Sequence, residues 1–495
     1  MEKKLIKLEP STYNIVGVLE LIKLEPPIYN IVNILNRLGH QCLVVGGAVR
    51  DSILGIEPKD IDIEVYKISY EDLMTFLSKY GTVDLVGKKF GVIVFNPKNG
   101  KMKYDFSIPR KENKVGIGHT EFEITFDEKM TIKDAATRRD ITINALAYDP
   151  IENHIYDYFG GVEDLKNKII RHTSNAFSED YLRILRIFQM QSRFDFEVHP
   201  DTIALMKKML TDNPDEFKQL SVERVHEEFL KYAEKGVRHD LIFKFMRDTG
   251  LIEYYPELKA LKETPQDPIW HPEGNTEIHS CLCLQQIDKI IHRENITGIE
   301  KTILVLSVLY HDIAKPNTYA EQEKDGRMAI TNYGHEAMGG EMVKQILSKI
   351  GFNESLIIPI SNLISNHLSG VSISKITSES GKIKAVKKLS RRLHPASIQQ
   401  LLWLMEADSN GRGKEGVIPT GSEDIKRIAS EITITNKQYE YLLMGRHLIE
   451  WFGMKPSAKF GIILKASYEA QEEGLIIDLE SGKKWLKDNL ELLTK

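Results

Sequence analysis

The segment LVVGGAVRDSILGIEPKDIDIEVY, residues 43–66, constrains this chain more than any other stretch. Leu43, Val44 and Val45 run into Gly46-Gly47, a short amphipathic stretch follows, and a second strand pattern carries Asp60-Ile61-Asp62. Side chains alternate across a strand, so Asp60 and Asp62 project from one face while Ile61 and Ile63 take the other. Paired carboxylates repel each other unless a cation lies between them. Hard oxygen donors beside a glycine turn suit Mg²⁺ that arrives with substrate phosphates. The glycines let backbone N–H groups approach a phosphate closely. A bare Asp-x-Asp is most often a solvated surface pair; behind GG-x-V-R-D it predicts a phosphate-handling head.

A chain of 495 residues predicts three or four structural units. Its balance of 42% hydrophobic and 28% charged residues is that of ordinary globular material, and no apolar run reaches the roughly 20 residues of a membrane helix. The opening MEKKLIKLEP has no long apolar core before a small-residue site, so no signal peptide is expected. Cys42, Cys281 and Cys283 cannot build a disulfide framework, and Cys281-x-Cys283 is too tight for a usual zinc knuckle; a reducing cytoplasm is expected. A net charge of −5 leaves any nucleic-acid contact to local basic patches. Residues 5–20 are nearly repeated at 21–36, and each copy reads as a Pro-started helix without chemistry of its own.

Strand patterns are expected at 42–45, 60–66, 91–95 and 102–108. In KYDFSIP the alternation puts Asp105 and Ser107 on one face, so Asp105 is a candidate third carboxylate able to take a proton from a ribose hydroxyl. Arg138-Arg139 supplies the fork-shaped cations a triphosphate needs. From 161 to about 265 the pattern turns helical in DLKNKIIRH, SEDYLRILRIFQMQSRF and SVERVHEEFLKYAEK. Asp180 and Arg183, at i and i+3, would share one side of such a helix. An acceptor beside a donor matches the amino group and ring nitrogen that cytosine and adenine both present, whereas the edges of uracil and guanine are reversed.

The ordered set GGAVRDSILG, KDIDIE, RRDITINALAYD (138–149), EDYLRILR (179–186) and ERVHEEF (223–229) resembles the class II tRNA nucleotidyltransferases, the bacterial-type CCA-adding enzymes and poly(A) polymerases. WHPEGNTEIHS (270–280), YHDIAKP (310–316) and EADSNGRG (406–413) resemble the C-terminal HD domain of the longer members. The resemblance implies an α+β fold: a small mixed-sheet nucleotidyltransferase head, then an extended all-helical body with an HD domain. It implies nucleotide contacts at Gly46, Gly47, Arg50, Arg138, Arg139, Asp140, Asn144, Asp180, Arg183 and Arg186, with Asp180 and Arg183 as a protein template for base choice. Residues 110–130 resemble the family's mobile loop, and 416–495 its helical tail, which contacts the tRNA elbow. Many relatives carry three arginines where this chain reads Arg186, Gln189 and Arg193.

In the HD segment, His279, His311, Asp312, His335, His367 and Asp408 form an open N/O set for a transition metal, with His335 and His367 available for a second ion. A metal-bound water attacks phosphate esters. Lys315 could contact a phosphate or extend to solvent. The densest basic run, Lys382 to Arg392, is a candidate RNA-backbone grip or a solvated face.

The expected division is 1–36 duplicated helical segment, 37–160 head, 161–265 neck and body, 266–415 HD domain and 416–495 tail. The expected function is untemplated addition of C, C and A to tRNA 3′ ends from CTP and ATP, with Mg²⁺ on Asp60 and Asp62 and a second, phosphohydrolase activity in the HD domain. Poly(A) polymerase, partial CC- or A-addition, an HD phosphohydrolase with an inactive head, and a tRNA-binding protein without turnover remain alternatives.

Overall fold

The computed structural model describes residues 8–9, 22, 24–87, 91–114, 122–127, 129–324, 326–413, 416–436 and 439–494. The chain forms two compact units: Met1–Val237 with Lys244–Leu251, and Arg238–Phe243 with Ile252–Lys495.

The first unit is built on a mixed sheet. Its strands are β1 (Leu8–Glu9), β2 (Cys42–Val45), β3 (Asp62–Val65), β4 (Gly81–Gly87), β5 (Val92–Pro97) and β6 (Tyr104–Ser107). A separate antiparallel pair, β7 (Arg110–Lys114) and β8 (Phe122–Phe126), comes next, and β9 (Ala147–Asp149) and β10 (His154–Tyr156) return to the sheet. The order is β1-β10-β9-β2-β3-β6-β5-β4. Neighbours are antiparallel except β1/β10 and β3/β6. Strand alternation holds: Ile61, Ile63, Tyr104 and Phe106 are buried in the core, opposite the face that carries Asp62 and Asp105. The expected strand at 60–66 begins only at Asp62, which leaves Asp60 in the bend before it.

The N-terminal part adds detail to the expectations. Leu8–Glu9, ahead of Pro10 in the first repeat copy, is a strand paired with β10, and the rest of that copy, where a Pro-started helix is expected, lies outside the described residues. The second copy gives the Pro-started helix Pro26–Arg37, which buries Ile28, Ile31, Val32 and Leu35. The expected loop 110–130 has paired strands at both ends, with 115–121 and 128 outside the described residues.

The body is largely, not wholly, helical. The helix expected across 164–172 stops at Lys166, because Ile169–Ile170 pairs in parallel with Glu197–Val198. The helix Gly161–Lys166 braces the turn Thr142–Asn144: Thr142 Oγ1 donates to Asp164 at 2.6 Å. Gly161 is pressed so closely on this turn that a Cβ would meet the Thr142 carbonyl oxygen at 2.3 Å. Gly161→Ala is therefore expected to cost about 1–3 kcal/mol of stability, read by denaturant unfolding.

In the second unit, the helices Thr276–Glu294, Gly298–Tyr310, His335–Ile350, Glu354–Asn366 and Ile398–Asn410 pack around a common core, and the hairpin Ala320–Lys324/Arg327–Thr331 lies beside them. Among the described residues, no helix is long and apolar enough to cross a membrane. The basic run does not stand free. Lys382 pairs with Asp424 (2.6 Å), Lys384 with Glu473 (2.7 Å) and Arg391 with the buried Glu472 (2.6 Å). Arg391 also stacks over Tyr441, whose ring lies on Tyr468. These cations join the helix Glu379–Leu393 to the C-terminal helices, so most of the run acts as a structural clasp rather than a phosphate grip.

Candidate functional site

In the head, the parallel pairing of β3 and β6 sets Asp62 directly beside Asp105. The two line a cleft of about 320 Å³ with Glu64, Arg110, Arg138, Arg139 and Arg183. Desolvation in the cleft raises the Asp62 carboxyl above its ordinary range. The Arg139 cation opposes this, and the charges of Asp105, Asp60 and Glu64 add to it. Asp105 is raised by desolvation and then by Asp60. Three mutually repelling carboxylates at the mouth of an arginine-lined cleft fit divalent cations carried with a polyphosphate.

The glycine turn is shaped by its backbone. Gly46 adopts φ +71°, ψ −129°, a region open essentially to glycine, and a Cβ there would come within 2.9 Å of Arg139 Nη1. Four of the expected nucleotide contacts, Arg50, Asp140, Asn144 and Arg186, bond to one another within the protein. Arg50 is buried, bonded to Asp51 (2.7 Å) and Asn144 (2.5 Å), and lies over Phe194. Asp140 is buried and accepts from Asn144 (3.1 Å) and Arg186 (2.8 Å). Burial opposes the Asp140 charge, but Arg186 and Asn144 outweigh it and hold the carboxyl below its usual range. The network runs Arg50–Asn144–Asp140–Arg186, and it fixes the glycine turn against the helix Leu182–Phe194. Arg186 remains partly exposed at its end.

Asp180 and Arg183 do not form the expected i, i+3 helix pair. Asp180 stands in extended conformation ahead of the helix Leu182–Phe194, accepts from the Leu182 N–H, and pairs with Arg224 at 2.7 Å. Arg183 is oriented by two carbonyls: Nη1 donates to Ala176 at 2.7 Å and Nη2 to Arg138 at 2.8 Å. Both are thus held by neighbours rather than by each other. Gln189, where the resemblance leads one to expect an arginine, is buried, with its Oε1 lacking a partner among the described residues. Arg224 and Glu64 escaped the sequence reading. Arg224 lay in the ERVHEEF motif, and Glu64 was legible as the next outward position after Asp62.

The second unit gathers its ligand candidates at helix ends. Asn275 caps the helix Thr276–Glu294 and so sets the turn that presents His279. His311 and Asp312 follow the buried helix Gly298–Tyr310, His367 follows Glu354–Asn366, and His335 starts the helix after the left-handed Gly334. Three imidazoles donate from Nδ1 to a carbonyl three residues earlier: His311 to Val308 (2.8 Å), His335 to Asn332 (2.6 Å) and His367 to Ile364 (2.7 Å). These backbone carbonyls, which only accept, thereby select the tautomer. His279 Nδ1 and His271 Nδ1 both face Glu273 at 2.8 Å.

With Nδ1 committed, the Nε2 atoms point inward. His279 and His311 bring theirs to 3.4 Å, and His335 and His367 to 3.3 Å. Neutral rings would oppose lone pair to lone pair, and charged rings N–H to N–H. Two imidazoles on one tetrahedral ion, at bond lengths of about 2.1 Å, stand about 3.4 Å apart, so the spacing fits a cation between each pair. Asp312 spans the two pairs, with Oδ2 3.2 Å from His311 and Oδ1 3.2 Å from His335; Asp408 lies 3.1 Å from His279. Burial opposes the charge of Asp312, but His311 and Lys315 hold it well below the usual carboxyl range. Burial, reinforced by the neighbouring His335 and His311, pushes His367 down to about 3, which keeps it a neutral ligand. Burial would lower His311 too, but Asp312 lifts it to about 10.

A cavity of about 960 Å³ opens over this cluster, with Arg327, Lys375, Arg392 and Arg412 around it. Lys315 does not extend to solvent: it is buried between Asp312 (2.7 Å) and Gln266 (2.6 Å) in the wall of this cavity. His271, Glu273 and Cys283 were not read as part of the site. The last was legible, since it lies one helical turn after His279.

Family models match in three places: the poly A polymerase head domain over 42–171, the probable RNA and SrmB-binding site of polymerase A over 195–262, and the HD domain over 276–392. The multifunctional CCA protein of Mannheimia succiniciproducens is 31% identical over 376 residues, which is 75% of this chain and 84% of the relative. That of Hahella chejuensis is 34% identical over 315 residues, covering 63% and 68%. The fold is similar to the Bacillus stearothermophilus CCA-adding enzyme in complex with CTP (TM-score 0.62, 20% identity, 95% of this chain and 99% of that one). It is also similar to the Thermotoga maritima CCA-adding enzyme complexed with tRNA (TM-score 0.57, 20% identity, 96% and 98%).

Proposed function

The chain belongs to the family of multifunctional CCA proteins, and from that premise we propose that its head adds C, C and A to the 3′ end of tRNA from CTP and ATP. The observation that carries the reading is the carboxylate pair Asp62/Asp105, in register on parallel strands, facing Arg138, Arg139 and Arg183 across one cleft.

Asp60, Asp62 and Asp105 would hold Mg²⁺, which when bound neutralises the triphosphate and acidifies the attacking hydroxyl. The arginines orient the phosphates. Asp105, whose carboxyl is raised by desolvation and by Asp60, receives the proton of the tRNA 3′-hydroxyl. Asp180 accepts from the base's amino group and Arg183 donates to its ring nitrogen, each pre-set by its own partners. The HD unit would hold two divalent transition-metal ions, one on His279, His311 and Asp408 and one on His335 and His367, with Asp312 between them; there it hydrolyses phosphoesters. None of the three cysteines forms a disulfide, which supports action in the cytoplasm.

The deciding assay offers purified protein a tRNA lacking its 3′ end with CTP, ATP, UTP or GTP singly and together, and reads product length on a gel. Addition of C, C, A and then arrest supports the proposal. Continued A addition would make the protein a poly(A) polymerase. In the same assay, Asp180→Ala or Arg183→Ala is expected to cut discrimination against UTP and GTP by about 10- to 100-fold, as loss of a bidentate reading pair does. Unchanged selectivity in both variants would remove the protein-template role.

A further inference from the structure

Cys283 is fully buried on the helix Thr276–Glu294, one turn after His279. Its Sγ lies 3.4 Å from His279 Nε2. That nitrogen is also faced by Asp408 at 3.1 Å, His311 at 3.4 Å and Asp312 at 3.6 Å. A single imidazole nitrogen serves one hydrogen bond, so four groups converging on it do not form a hydrogen-bond network. Their convergence fits a coordination shell. The donor atoms of His279, Cys283, His311 and Asp408 all lie within 4.8 Å of one another. A thiolate and an imidazole on one tetrahedral ion stand about 3.5 Å apart, close to the spacing found. Gly411 makes this placement possible: a Cβ there would come within 2.3 Å of the sulfur.

We propose that Cys283 is a ligand of the HD unit's first ion, which makes that position an N₂OS site selective for a thiophilic metal such as Zn²⁺ or Co²⁺ over Mg²⁺ or Mn²⁺. Soft sulfur raises affinity for the later transition metals and adds little for hard cations. The second position, on His335 and His367 with Asp312, has no sulfur and keeps an N/O preference. The inference rests on the reading of the HD unit as a metal centre.

The full-length protein is stripped of metal and titrated with Co²⁺. Wild type is expected to show a near-ultraviolet thiolate-to-cobalt charge-transfer band together with visible cobalt bands. Cys283→Ser should lose the first and keep the second. Its preference for Zn²⁺ over Mn²⁺ should fall by about tenfold or more. Cys281→Ser should keep the thiolate band, which assigns it to Cys283. Cobalt bound by wild type without that band, or a band surviving in Cys283→Ser, overturns the proposal and leaves the metal centre standing. Failure of wild type to bind cobalt, Zn²⁺ or Mn²⁺ overturns both. Should Cys283→Ser not fold, Cys283→Ala and the wild-type spectrum still decide.

Discussion

Asp62→Asn is expected to lower nucleotide addition by at least about 10³-fold, while tRNA affinity stays within about twofold. The substitution keeps the shape of the side chain and removes one negative charge from the β3/β6 pair. Asp62 feels Asp105, Asp60 and Glu64 together, so its loss weakens the cation site more than loss of an acid outside the cleft would. The backbone pairing of β3 with β2 and β6 does not involve the carboxylate, so folding should be preserved. The measurement is single-turnover incorporation of CMP, with tRNA binding by filter retention. Incorporation within tenfold of wild type would remove Asp62 from the catalytic set.

The second large effect belongs to the other unit. His311→Ala is expected to abolish phosphoester hydrolysis in the HD unit and to lower its bound transition metal by about one equivalent, with nucleotide addition unchanged. His311 opposes His279 at 3.4 Å and contacts Asp312, so its removal takes an imidazole from one ion and disturbs the bridging carboxylate. A water does not restore an imidazole's affinity. Metal analysis, hydrolysis of a cyclic or terminal phosphoester and CCA addition, all on one preparation, test this. Loss of both activities in a folded variant would show that the two sites are coupled. Full metal content would remove His311 from the ligand set.

Much of the chemistry was legible in the chain because its residues lie close together in sequence. Gly46-Gly47 needs only its own backbone geometry, and Asp62 and Asp105 were each placed on the polar face of a strand by local alternation. The HD set could be read as a group because its residue types and order carried the resemblance, although its members are scattered from 279 to 408. The limits appear where a residue's partner is distant. Asp180 and Arg183 read as a helix pair by spacing, yet Arg224, Ala176 and Arg138 determine where they stand. Arg50 read as a nucleotide contact through the resemblance, and burial against Asn144 and Phe194 makes it a brace of the glycine turn.

Local periodicity thus determined which face each acid took, which residues entered the core and where most helices ran, since these depend on neighbours a few residues away. The parallel pairing of β3 with β6 is a matter of tertiary structure alone. It brings Asp105 beside Asp62 across a chain separation that no periodicity records. The same holds for the helix ends that turn His279, His311, His335 and His367 inward, for the acids that claim the basic run at 382–392, and for the place of Cys283. Each depends on which charges and lone pairs are forced together once water is excluded, and that is decided only when the units pack.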